Sequence, residues 1–275
     1  PAIKYNYDNL RRLKQPREEE VSWTLYINNS LAKKVSKIVD FRSLNEVPFR
    51  VLSRWNKNDG KIDHSYMFAA MVNEDAPFID SVILKEAINS NAISHFSGVN
   101  DNSFAGYQDV NGDGDSATEA KSQVFAIWYV LQNRKMRYSN IPATSNESDR
   151  VISQNVRSIE ESFKNQQANC VDGSVLIASV LRKIGIDPVL VLVPGHMFIG
   201  FFTDSAHDNL CFLETTMLGD EDITKLSGKE KLAASKKVFE AAMKAGQDNV
   251  NEAGRDAVFI NIAECRRIGI KPVIR

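Results

Sequence analysis

The distribution of apolar positions divides the chain into two unlike parts. From Val21 to Val72, short stretches such as VSWTLYI, VPFRVLSRW and SYMFAAMV are rich in β-branched and aromatic residues and are separated by Asn, Ser, Asp and Gly clusters, which predicts a small β-rich region. The apolar segment FIDSVILKEAI suits a helix, and the polar stretch that follows, DNSFAGYQDVNGDGDSATE, is where a domain boundary is expected. Beyond it Val124, Ile127, Trp128 and Leu131 recur at helical spacing, in a helix that should end near the basic QNRKMR. A second helix is expected from Val151 to Phe163.

The segment from Cys170 to Ile184 is apolar almost all the way round and is followed by Gly185, a residue suited to a helix C-terminus, so it reads as a buried central helix. VLVLV, HMFIGFF and LCFLETT then make three apolar runs of strand length, joined by Pro194-Gly195 and by TDSAHDN. They predict an antiparallel meander packed on that helix. Leu232 to Ala245 reads as a further helix capped by Gly246, and AVFINI as a last strand. The expected class is α+β: a charged arm over 1–20, a smaller β-rich domain over 21–115, and a C-terminal domain over 116–275 with a central helix on an antiparallel sheet.

Composition narrows the function classes. With 275 residues, 43% hydrophobic and 25% charged, the chain has ordinary globular composition and enough length for two cores. Its 34 basic and 35 acidic residues leave a formal net charge of -1, and no stretch interleaves Lys and Arg with aromatics as a phosphate-tracking surface would, so nothing favours nucleic acid as a partner. The run RRLKQPREEE reads as a solvated helix or arm. No apolar run approaches the roughly 18 residues of a membrane span. The first residues carry neither a charged-then-apolar leader pattern nor an initiator Met, as in a mature fragment, and an extracytoplasmic location after leader removal is the expectation. Three cysteines at wide spacing, Cys170, Cys211 and Cys265, give no disulfide framework.

The chemistry converges on one of those cysteines. Cys170 falls at the predicted N-terminus of the buried helix, where free N–H groups and the positive end of the helix dipole favour a thiolate and can bind an oxyanion. An arbitrary Cys is more often a small buried hydrophobe. That role, however, belongs among the apolar positions inside the helix, not at its polar mouth beside Asn169 and Asp172. His196 follows Pro194-Gly195 at the first position of a strand. If TDSAHDN is a hairpin connection centred near Ala206, facing residues across the pair have numbers that sum to about 412. His196 then lies opposite Thr216, with Glu214 two residues along on the same face, placed to orient the ring toward Cys170.

NCVDGSVLIASVLRKIGIDPVLVLVPGHMFIGFF followed by FLETT resembles the core of bacterial transglutaminase-like proteins of papain-like fold, with VRSIEESF similar to the segment ahead of the cysteine. The likeness covers roughly residues 120 to 220. It implies Cys170 as nucleophile, His196 as general base and Glu214 as the third member, with Glu standing where many members have Asp. For the second oxyanion donor Gln166, Gln167 and Asn169 are candidates, and Gln167 is chosen. Asp172 is read as a first-turn structural acid. The implied activity is that of a cysteine-dependent amide or ester hydrolase or acyl transferase acting on a protein or peptide through an acyl-enzyme, without a cofactor. The alternative is an inactive transglutaminase-fold binding or scaffold module.

Two metal readings compete. Cys170, His196 and Cys211 are zinc-ligand types, but no CxxC or HxxxH pair supports them. In DVNGDGDSATE, Asp109, Asn111, Asp113 and Asp115 alternate as in a calcium loop, yet Glu119 falls at the eleventh position where the EF-hand pattern wants its Glu at the twelfth. An ordinary Asp- and Gly-rich surface loop is preferred.

Overall fold

In the N-terminal part β-branched and aromatic residues do form strands, as expected, though not all of them. The structure is a computed structural model that describes residues 6–13, 17–52, 60–108, 115–139, 145–147 and 151–273. A short helix α1 (Tyr7–Arg12) precedes β1 (Arg17–Ile27), β2 (Ser30–Phe41), β3 (Glu46–Leu52) and β4 (Lys61–Asp63). SYMFAAMV, read as a strand, is instead a 3-10 helix, Ser65–Met71. The adjacent Phe68 and Ala69 are both buried, which an alternating strand with one solvated face does not allow. FIDSVILKEAI is helical as expected, with a wide π-helical stretch Ile79–Leu84 that runs on into α2 (Lys85–Asn89) and is followed by α3 (Ala92–Ser97).

The helix α4 (Ser116–Asn133) ends at the basic segment as predicted, and buries Val124, Ile127, Trp128 and Leu131. After β5 (Arg137–Tyr138) and β6 (Ser145–Glu147), the helix expected from Val151 to Phe163 divides in two. Val151–Asn155 is the strand β7, paired with β3, and only Ile159–Asn165 is helical, as α5. Ser158 sets that start, its hydroxyl accepting the Glu161 N–H at 3.1 Å.

β8 (Gln167–Ala168) leads into α6 (Cys170–Lys183), the buried helix, whose Val175, Leu176, Ile177, Val180 and Leu181 are all but inaccessible. It packs on β9 (Pro188–Val193) and β10 (His196–Phe202), which with β11 (Leu210–Leu213) form the predicted meander. The long helix α7 (Gly228–Ala253) lies against β11 and α4. β12 (Val258–Asn261) adds to β9, giving the order β11-β10-β9-β12, and α8 (Ile262–Arg267) follows.

The class is mixed α+β with several small antiparallel sheets. One of these sheets, in the order β4-β3-β7-β6, draws two strands from each side of the boundary expected near residue 115. A single apolar cluster likewise joins Val47 and Phe68 to Leu176 and Phe239. Each large side chain fully buried there contributes about 1.5–3 kcal/mol relative to exposure.

Candidate active site

Cys170 opens α6 because the residue before it is a good cap. The Asn169 side chain accepts the Asp172 N–H at 2.8 Å, and Asp172 Oδ2 accepts the Asn169 N–H at 3.3 Å, a reciprocal capping box. Asp172 Oδ1 also accepts the Arg157 N–H at 2.8 Å, tying the preceding loop to the helix. Asp172 is therefore structural, as read from the sequence. Burial pushes its carboxyl up, against the pull of the Arg157 and Asn169 N–H groups. With the Asp172 and Gly173 N–H groups both taken by Asn169, those of Cys170 and Val171 remain as the helix's first-turn donors. The thiol itself is half-buried.

Gly173 brings the acid-bearing segment close to this turn. A Cβ at that position would lie 3.2 Å from Thr215 Oγ1, so only a glycine allows α6 and the segment after β11 to approach without displacement.

His196 begins β10, paired with Val193 of β9 across the Pro194-Gly195 turn. Its Nε2 lies 2.7 Å from Glu214 Oε2, and the Cys170 thiol is near enough to act on the ring's charge. Interaction with Cys170 first, and the hydrogen bond that the ring donates to Glu214 second, push the imidazole up to about 10 from its ordinary 6.5, against the effect of burial. At neutral pH the ring is an imidazolium between a sulfur and a carboxylate.

Glu214 reaches the ring by a route that differs in one respect from the expectation. The strand pairing has the predicted sum: Ile199 faces Leu213, and Gly200 faces Phe212. The ladder stops at Leu213, however, so His196 and Thr216 are not a cross-strand pair. The chain turns instead into a 3-10 helix, Thr215–Gly219, with Glu214 as its N-cap. Glu214 Oε1 accepts from Thr216 N at 3.0 Å and Thr216 Oγ1 at 2.7 Å, while Oε2 accepts from Asn249 Nδ2 at 2.9 Å. Only 5% of the residue is exposed. Burial alone would push its carboxyl up, but the bonds from His196 and Thr216 outweigh this and hold it below the ordinary value.

Asn249 was hidden by the reading of Gly246 as a cap. That reading is corrected: α7 runs through Gly246 to Ala253, and the glycine is a buried contact point. A Cβ there would stand 2.8 Å from Leu213 N and 3.0 Å from the Phe212 carbonyl carbon. The close approach lets Glu214 N–H donate to Ala242 O at 3.0 Å. Ala242, Gly246 and Asn249 recur at helical spacing, a signal visible in the sequence only once the helix is carried past the glycine.

Of the three oxyanion candidates, Asn169 is taken up in capping and Gln166 ends α5 with a left-handed φ of 54°. Gln167 sits on β8 with an exposed side chain, its carbonyl accepting from Arg157 Nη1 at 3.1 Å. β8 pairs in parallel with β5, which brings in a residue the sequence did not single out, Tyr138. Its phenol is pushed up by burial, then by its nearness to Cys170 and Glu214.

Asp109, Asn111 and Asp113 of the calcium-like loop lie outside the described residues. Asp115 caps α4, accepting the Thr118 N–H at 3.0 Å. Among the described residues no group of three or more His, Cys, Asp and Glu side chains could hold a metal ion, and no helix is long and apolar enough to cross a membrane. No protein-family model matches the chain, and no curated protein matches it in sequence.

Proposed function

We propose that α6 and the sheet β11-β10-β9-β12 form a papain/transglutaminase-like core, and that the protein is a cysteine-dependent amide or ester hydrolase or acyl transferase acting on a protein or peptide. The observation that carries this reading is His196 held at 2.7 Å by a buried Glu214, its charged form favoured first by the nearby Cys170 at the start of α6 and then by that carboxylate. An imidazolium beside a thiol at a helix N-terminus is the arrangement that activates sulfur as a nucleophile.

In this mechanism His196 has taken the Cys170 proton as base, and the thiolate attacks the acyl carbon. Charge developing on the carbonyl oxygen is met by the Cys170 and Val171 N–H groups, with Gln167 the side-chain candidate. The imidazolium gives its proton to the leaving amine or alcohol as the C–N or C–O bond breaks, leaving a thioester. Neutral His196 then takes a proton from water, whose oxygen attacks the thioester. The C–S bond breaks and the thiolate is restored beside the imidazolium. An amine in place of water gives transfer; hydrolysis needs no second binding site and is the simpler course.

Thiol alkylation tests this without a known substrate. Burial pushes the Cys211 and Cys265 thiols up, disfavouring their thiolates. Cys170 should therefore react with iodoacetamide fastest of the three at neutral pH, as read by site-resolved mass spectrometry. His196→Ala should slow it severalfold, and Glu214→Ala less. An accessible Cys170 reacting like an ordinary thiol, indifferent to His196, would overturn the enzyme reading and favour a binding module.

A further inference from the structure

An open cavity of about 760 Å³ lies between α3, α4 and the first turn of α7. Lys229 at one end of α7 and Asn249 near the other are about 30 Å apart along the helix, so the cavity is separate from the candidate active site. Its size is that of a small-molecule site. Lys229, His95, Asn91 and Tyr129 line it with polar groups, and Leu232 and Val99 add apolar wall. Asn91 Oδ1 accepts from Asn102 Nδ2 at 3.2 Å, which leaves the Asn91 amide nitrogen to donate.

A second lysine is held close by. Lys236 Nζ donates to Phe96 O at 3.4 Å and stands 4.4 Å from the centre of the Phe96 ring. Burial first, then Lys236 and Lys229, keep the His95 imidazole below its ordinary 6.5. Among the described residues neither lysine is paired with a carboxylate, and none of the cavity's lining residues is acidic. Glu230, the acid in the first turn of α7, is not part of the lining. Positive charge gathered at a partly enclosed surface, with no acid to neutralise it, is relieved by an anion. Donors converging from three elements suit the separate oxygens of a phosphate, and the wall of Leu232, Val99 and the Tyr129 ring suits an apolar body attached to it.

We propose that this cavity binds the phosphate monoester of a small organic molecule, with its oxygens held by Lys229, His95 and Asn91 and its body against Leu232 and Tyr129. Calorimetric titration of the full chain with phenyl phosphate should show saturable binding. Inorganic phosphate should bind about tenfold or more weakly, since it buries no ring, and phenol should not bind. Lys229→Ala should weaken phenyl phosphate by about tenfold or more, as expected for loss of a charge-assisted hydrogen bond. The His95 titration, followed by imidazole NMR, should move upward when phenyl phosphate is added, because an anion favours the imidazolium. Thermal melting followed by circular dichroism establishes that the variant is folded. No binding at millimolar phenyl phosphate, an affinity indifferent to Lys229→Ala, or a His95 titration that stays in place would overturn the proposal. So would benzoate bound as tightly as phenyl phosphate, which would make the ligand a carboxylate, or capture by phosphatidic acid vesicles without binding of phenyl phosphate, which would make it a lipid headgroup.

Discussion

Two oxygens of Glu214 receive four hydrogen bonds, from Thr216 N, Thr216 Oγ1, Asn249 Nδ2 and the His196 ring. A carboxylate held this way has little freedom to turn, so the imidazole it bonds is fixed in direction as well as in charge. The pH dependence of stability follows. His196 holds its proton more tightly folded than unfolded, so its contribution is whole below about 6.5 and is lost as pH rises toward about 10. Glu214 releases its proton more readily folded than unfolded; its contribution is present above about 4.5 and is lost as pH falls below that. Denaturant titrations should find the pair's contribution greatest between about pH 4.5 and 6.5. Glu214→Gln should return the His196 titration, followed by imidazole NMR, toward 6.5. Asn249→Ala should move the acid limb upward, since the carboxylate loses a donor; an unchanged limb would mean that Asn249 is incidental to the acid.

At the scale of elements, the site depends on how closely α7 can approach the end of β11. Replacing a helical glycine with alanine ordinarily stabilises a helix by about 1 kcal/mol. At Gly246 the new methyl would meet backbone atoms of Phe212 and Leu213, which cannot rotate away as a flexible side chain would. Overpacking of this kind costs about 1–3 kcal/mol, so Gly246→Ala should lower the midpoint of thermal unfolding and slow Cys170 alkylation by displacing Glu214. A variant as stable as the parent would show that the contact is looser than its geometry implies.

For the whole molecule, the shared sheet β4-β3-β7-β6 and the common apolar cluster predict that residues on either side of position 115 unfold together. Phe68→Ala should cost about 3–5 kcal/mol and Leu176→Ala about 2–5 kcal/mol. Both should shift the same calorimetric transition. Two transitions, each moved by only one of these variants, would mean that the two parts are held by separate cores.

The local pattern of the sequence determined the elements nearest the chemistry. A polar cap before an apolar run set the start of α6 at Cys170, and a two-residue turn set the start of β10 at His196. A symmetric hairpin count gave the pairing of β10 with β11. Each of these depends on residues a few positions apart, where capping, turn chemistry and alternation act. Tertiary structure alone decided where Glu214 leaves its strand, whether Gly246 ends a helix or packs inside one, and that Asn249 and Tyr138 lie beside the site. It also decided that Val151–Asn155 is a strand, because β3, about a hundred residues earlier, offers it a ladder. These outcomes depend on partners distant in the chain, and a glycine or a β-branched run has the same local preferences whether such a partner is there or not.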